Sequence, residues 1–179
     1  MQPTLTGPRV VLRPWRIDDV DAVTAACQDP EIQRWTQVPV PYERKHAEDF
    51  VGGIAEETRA DGGALFAVEL RDGGALVGSI GLFAPQDGIG EIGYWTVAGH
   101  RGGGLTSEAV RVLIEWAFIE HALHRVELHV HPANEGSRRV AERAGFLAEG
   151  VVRQRFRHRG RPADVVLYSR LPTDPRPTG

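Results

Sequence analysis

Three consecutive glycines, Gly102-Gly103-Gly104, stand between an apolar-aromatic run and a helix-like pattern, and they restrict the fold more tightly than any other stretch. The segment reads His100-Arg101-Gly102-Gly103-Gly104-Leu105-Thr106-Ser107-Glu108-Ala109. Ordering a glycine costs about 0.5–1 kcal/mol relative to alanine. A plain strand–turn–helix connection needs only one or two. Glycines let a backbone approach a ligand closely, and a helix that follows them offers unpaired N–H groups and its positive dipole end. The pattern is that of a phosphate cradle.

Several loop types share this pattern. A P-loop needs G-x-x-x-x-G-K-S/T, which is absent, and the sole lysine is Lys45. A dinucleotide fingerprint is a nearer miss: Gly102-x-Gly104-x-x-Ser107 lacks the last glycine, and Glu127 follows at the distance of a ribose-binding acid. That fold opens with its glycine unit, whereas here three antiparallel-looking strands precede it.

The 179 residues suit one domain, and a net charge of −3 gives no field that favours nucleic acid or a membrane surface. Cys27 is alone, so no internal disulfide is possible. The first residues show no basic and apolar leader pattern, and no run approaches the ~18 apolar residues of a membrane span. We expect a cytoplasmic protein, monomeric or homodimeric, with no membrane or nucleic-acid partner.

Along the chain, residues 9–15 read as a strand. Asp18-Asp19 caps a helix that ends near Asp29-Pro30, and a second helix spans about 43–60. Strands at 65–70 and 75–83 are joined by Asp72-Gly73, a hairpin signal. A strand at 89–97 runs into the glycine loop, and a helix follows with Leu105, Ala109, Val112, Leu113 and Trp116 at helical spacing. Then come a strand at 125–131, a helix from Asn134 to Gly145, and strands within 146–157 and at 164–171. The order β-α-α-β-β-β-α-β-α-β-β is that of a mixed α/β (α+β) domain with helices covering a sheet. Residues 1–171 form the domain, and the proline-rich 172–179 is expected to be a flexible tail.

The glycine run resembles motif A of the GNAT N-acetyltransferase superfamily, Q/R-x-x-G-x-G/A, with Arg101, Gly104 and Thr106 on its defined positions. Thr106 departs from the usual small residue. Further segments resemble the RimJ/RimL-like subgroup: Leu12-Arg13-Pro14-Trp15, Asp29-Pro30-Glu31-Ile32, Glu91-Ile92-Gly93-Tyr94-Trp95, and Asn134-x-x-Ser137 through Gly145-Phe146. The resemblance implies a GNAT fold: a mostly antiparallel sheet of six to seven strands, about four helices, and a splay between the strands at 89–97 and 125–131. It implies acyl transfer from acetyl-coenzyme A to a primary amine by direct attack, the amine being a protein α-amine or a small molecule. No metal is expected.

The site residues follow from that likeness. Backbone N–H groups of Gly102, Gly103, Gly104, Leu105 and Thr106 hold a pyrophosphate, with Arg101 and Ser107 as side-chain contacts. A backbone N–H of Thr96 or Val97 polarises the acetyl carbonyl. Asn134 orients the pantetheine, and asparagine there is also a natural N-cap. Many relatives place an acidic tyrosine seven residues after this asparagine; here that position is Ala141, and Ser137 is the implied substitute. Ser137 is equally suited to capping the helix. RimL-like relatives carry a basic glutamate where this chain has Phe156. Glu91 is the alternative base, its pKa raised beside an apolar wall, or else an ordinary exposed strand carboxylate. His129 or His131 could act through water, and His129-x-His131 lacks a further ligand to make a metal site. Trp35, Tyr42 and His131 are expected at the acceptor mouth, a core role for Trp35 being the alternative. Arg153, Arg155, Arg157, Arg159 and Arg161 would form one basic face on a continuous strand, but Gly160 predicts a solvated hairpin that splits them. With two expected proton-transfer groups absent, a non-catalytic acyl-coenzyme A sensor is the competing reading.

Overall fold

The computed structural model describes residues 2–177. Its element order is β1 (Leu5–Thr6), β2 (Val10–Pro14), α1 (Val20–Ala26), α2 (Pro30–Trp35), α3 (Arg44–Asp49), α4 (Ala55–Ala60), β3 (Ala64–Leu70), β4 (Leu76–Gln86), β5 (Ile89–Thr96), α5 (Leu105–Glu120), β6 (Arg125–Val130), α6 (Glu135–Arg143), β7 (Leu147–His158) and β8 (Arg161–Arg170). One eight-stranded sheet runs β1-β2-β3-β4-β5-β6-β8-β7. The strand beyond the expected count is the two-residue β1, too short to leave a hydrophobic pattern.

Alternation sorts side chains to the two faces of the sheet. Val10, Leu12, Ile80, Leu82, Ile92, Val126, Leu128 and Val130 point to one face. There they meet Ala109, Val110, Leu113, Ile114 and Ala117, which recur on α5 at helical spacing, and Ala141 of α6. Each such large apolar side chain contributes roughly 1.5–3 kcal/mol by leaving water. Trp15 and Trp95 point to the opposite face, where a smaller core forms from Val20, Val23, Cys27, Ile32, Tyr42, Ala47 and Val51. Helices α5 and α6 therefore cover one face, and α1 to α4 the other.

Two helical details depart from the sequence expectation. Asp29-Pro30 ends one helix but also begins another: the Asp29 carboxylate accepts from the Glu31 amide, and Pro30 takes the first position of α2. The helix expected over 43–60 carries a π-helical turn, Phe50–Ile54, between α3 and α4. A single 3.6-residue periodicity does not register such an insertion.

Every strand pairing is antiparallel except β5 with β6. That parallel ladder holds only Ile89↔Arg125, Gly90↔Val126 and Glu91↔Glu127. Beyond Glu91 the two strands diverge and open a gap through the sheet. Among the described residues no helix is long and apolar enough to cross a membrane. At the C-terminus, Arg170 donates to the carbonyls of Gly145 at 3.0 Å and Pro175 at 2.8 Å, and the Leu171 amide donates to Asp174. Thr178 and Gly179, part of the expected tail, lie outside the described residues.

Candidate active site

The gap between β5 and β6 opens into a cleft of about 1160 Å³. Its edge along β5 follows from the ladder. The Val97 amide donates to the Val77 carbonyl at 2.8 Å, on the β4 side. In an antiparallel pair the direction alternates, so the amides of Thr96 and Tyr94 face the gap. This corrects the expectation for Val97, whose N–H is spent on the sheet. Thr96 retains a donor aimed at the cleft.

The glycine loop lies at one mouth. Gly102 and Gly104 adopt φ of 81° and 80°, the left-handed region that glycine enters without a Cβ clash. A Cβ built at Gly102 or Gly103 would meet nothing within 4 Å, so the loop presents bare backbone outward. Gly104 is the N-cap of α5, and the Leu105, Thr106 and Ser107 amides have no acceptor within the helix. The loop is clamped from behind. Buried Glu108 accepts from the Arg9 and Val10 amides at 2.6 and 3.2 Å and from Arg9 Nε at 2.8 Å, while Arg9 Nη1 donates to the Gly103 carbonyl at 3.1 Å. Sequence reading missed this clamp, because its halves lie 99 residues apart.

Side chains here divide between binding and bracing. Arg101 borders the cleft, but its guanidinium pairs with Asp29 at 2.8 Å and donates to the Thr96 carbonyl. It fixes the loop against α2 instead of standing free for a phosphate, a correction to the expected contact. Thr106 Oγ1 lies 2.7 Å from Thr96 Oγ1 and ties α5 to β5. Ser107 borders the cleft yet is only 3% exposed. Asn134 caps α6, its Oδ1 accepting from the Ser137 amide at 3.0 Å, which leaves its Nδ2 donors for the cleft. Ser137 Oγ lies 2.8 Å from the hydroxyl of Tyr94, which reaches across from β5. Ala141 is fully buried in the core.

On the other face the charged residues form a chain. His129 Nδ1 stands 3.2 Å from Glu91 Oε2, and His129 Nε2 stands 3.2 Å from Glu127 Oε2. Arg125 donates to Glu127 at 2.6 Å and pairs with Glu149. Hydrogen bonding to Glu91 raises the His129 pKa, and the Glu127 contact adds to this; burial and the charge of Arg155 oppose it. The Glu91 side chain is 50% exposed and faces His129, so the expected apolar wall is absent. His129 and His131 do not converge: the His131 ring packs on Trp35 at 5.3 Å, and its Nδ1 accepts from the Ala133 amide.

The acceptor-side rim is assembled from distant parts. Trp35 borders the cleft, its Nε1 donating to Glu31 and the Arg34 guanidinium lying 4.5 Å above its ring. Tyr42 reaches the cleft wall but is only 6% exposed, packed in the smaller core. The β7–β8 hairpin arches over to α2. His158 Nε2 meets the Arg34 carbonyl at 2.7 Å, Gln37 donates to the Arg157 carbonyl at 3.1 Å, and Arg159 donates to the carbonyls of Gln33 and Thr36. The arginines share no single face, because three residues of β7 bulge between Val152 and Phe156 and the chain turns at Arg159-Gly160. Phe156 and Arg155 line the cleft.

The geometry agrees with comparisons to known proteins. The acetyltransferase (GNAT) domain family matches residues 9–147. The chain is 28% identical over 170 residues to N-acetyltransferase p20 of Bacillus licheniformis, covering 94% of this chain and 96% of that protein. It is 34% identical over 98 residues to the ribosomal-protein-serine acetyltransferase of Escherichia coli, covering 54% of this chain and 55% of that protein. Among solved structures it resembles Mycobacterium smegmatis RimJ in complex with CoA-disulfide, with a TM-score of 0.80 and 26% identity over 95% of this chain and 86% of that one.

Proposed function

Because the chain belongs to the GNAT acetyltransferase family and is an N-acetyltransferase, we propose that it moves the acetyl group of acetyl-coenzyme A directly to a primary amine across the gap between β5 and β6. One observation carries this reading: the two candidate proton-transfer groups stand on opposite faces of the sheet at one gap. Alternation along β5 sends Tyr94, and with it Ser137, to the α5–α6 face, and sends Glu91 to the α1–α4 face. Direct transfer needs an acid beside the donor and a base beside the acceptor.

Bare glycine backbone and the α5 N-terminus fit a pyrophosphate, and the unpaired edge of β5 fits the amides of a pantetheine arm. The N–H groups of residues 102–107 hold the phosphates, Asn134 Nδ2 orients the arm, and the Thr96 N–H polarises the acyl oxygen. Bound acetyl-coenzyme A supplies an activated thioester. Glu91 takes the proton lost by the attacking amine, held in place by His129. Ser137 Oγ gives a proton to the departing sulfur. Trp35 and His131 border the acceptor, with Tyr42 supporting them from the smaller core. We propose residues 1–171 as the catalytic domain. A protein α-amine is the first acceptor to try, since one relative acts on a ribosomal protein. The binding-only reading is not favoured, because relatives over nearly the whole chain are named N-acetyltransferases and the acetyltransferase (GNAT) family matches residues 9–147.

Isothermal titration with acetyl-coenzyme A tests the cofactor, and thiol release with a panel of amines, including peptides with a free N-terminal serine, tests the transfer. Failure of the wild-type protein to bind acetyl-coenzyme A would sink the proposal. Binding with no turnover on any amine would restore the sensor.

A further inference from the structure

We propose that Tyr94 is a positioning residue that aims the Ser137 hydroxyl proton at the coenzyme A sulfur. This rests on the acetyltransferase reading of the cleft and assigns a role that reading leaves open. Ser137 Oγ can donate only one proton, and its neighbour decides where that proton points. Tyr94 Oη lies 2.8 Å from Ser137 Oγ and 3.3 Å from the Ser137 carbonyl oxygen. The shorter distance is the usual one for an O–H···O bond. With Tyr94 donating to Oγ, the Ser137 proton is left to face the cleft. With the bond reversed, that proton would be held against Tyr94 and lost to the chemistry.

Burial keeps Tyr94 protonated, so it has the proton that the donor role requires, and the 2.8 Å contact to Oγ is shorter than the 3.3 Å contact to the carbonyl. The Tyr94 ring packs against the larger core beneath the gap, and burial pushes its ionisation well above the usual tyrosine value despite the opposing bond from Ser137. It therefore stays protonated across the working pH range and contributes a fixed O–H. The Asn134 cap holds the Ser137 amide at 3.0 Å, so both ends of the serine are fixed. Ala141 offers no competing hydroxyl. The proton balance is complete without Tyr94 giving up its proton. The amine nitrogen bonds to the acyl carbon as the C–S bond breaks, and the electron pair leaves on sulfur. Sulfur takes the proton of Ser137, Ser137 regains one from solvent, and the amine proton leaves through Glu91.

The test needs no acceptor. Free coenzyme A is bound to the protein, and ionisation of its thiol is followed by thiolate absorbance against pH. In the wild-type complex we expect the bound thiol to titrate about one pH unit below free coenzyme A, the size of one hydrogen bond to a charged acceptor. Tyr94→Phe keeps the ring in the core and should cancel half or more of that shift, with coenzyme A affinity within about threefold of wild type. Ser137→Ala should cancel all of it, Ser137→Thr should restore much of it, and the double variant should match Ser137→Ala alone. A wild-type shift that survives Tyr94→Phe, or effects that add in the double variant, would overturn the proposal. So would a wild-type thiol that titrates like free coenzyme A. No coenzyme A binding at all would instead remove the underlying acetyltransferase reading. Thermal melting of each variant checks that the fold is retained.

Discussion

On the α5–α6 face the gap is bounded mainly by backbone: two left-handed glycines, the free amides of α5 and the unpaired edge of β5. On the α1–α4 face it is bounded by side chains: Glu91 and His129 from the sheet, Trp35 from α2, Phe156 and Arg155 from a bulged strand. Backbone geometry is written into short local patterns, because only certain residues adopt a given φ or cap a helix. A rim of side chains is written into contacts between segments far apart. The hairpin reaches α2 across 124 residues at His158 and Arg34. We therefore propose that the α5–α6 face, set by local backbone geometry, holds the donor, and that the α1–α4 face, set by contacts between distant segments, holds the acceptor amine.

The largest effect should come from the anchor of the acceptor face. Arg13 is buried, bonds both Asp19 oxygens at 2.8 Å and reaches Glu69 at 2.6 Å, tying the start of α1 to the sheet. Arg13→Met strands two carboxylates and should cost about 3–5 kcal/mol. That lowers the melting temperature by on the order of 10 °C. Burial alone would raise the Asp19 pKa, but its bonds from Arg13 and the Arg16 amide outweigh this and lower it. Its contribution is thus present above the unfolded value of about 3.9 and is lost as pH falls through the lower folded one. The Arg13→Met penalty should shrink in melts taken toward that acid limit.

On the donor face, Gly104→Asp combines backbone strain of about 1–3 kcal/mol with a charge beside the phosphates. Acetyl-coenzyme A affinity should fall about 100-fold, and Gly104→Ala, which carries the strain alone, should fall less. A smaller effect is expected opposite. Trp35→Ala should raise acceptor KM about tenfold, with acetyl-coenzyme A affinity unchanged, since its loss is one aromatic contact of about 0.5–1.5 kcal/mol plus buried area. Equal loss of both affinities would break the division between the faces.

The smallest effect concerns His129. Its folded pKa is raised, so the stability it contributes is complete below the unfolded value of about 6.5 and fades as pH rises through the folded one. His129→Gln should therefore cost more near pH 6 than near pH 9, by thermal melts at both.

The same contrast explains what the sequence made legible. The glycine loop and the Asn134 cap were readable because each has a local signature, whereas the splay followed only from the family resemblance. Arg101 and Val97 were assigned to the cofactor from motif position alone; Asp29 and the Val77 carbonyl, distant in sequence, had already taken their donors. The Glu91–His129–Glu127 chain was hidden because it depends on the parallel register of β5 and β6. So was the Tyr94–Ser137 bond, which spans 43 residues.

The central claim is that acid and base act from opposite faces of one gap. Thiol release from acetyl-coenzyme A, with the best amine of the panel, tests it most directly in wild type, Ser137→Ala and Glu91→Gln, alongside acetyl-coenzyme A affinity by titration. We expect turnover to fall about 100-fold or more in each variant, with affinity within about threefold of wild type. Wild-type turnover in either variant, or turnover lost only in step with affinity, would contradict it.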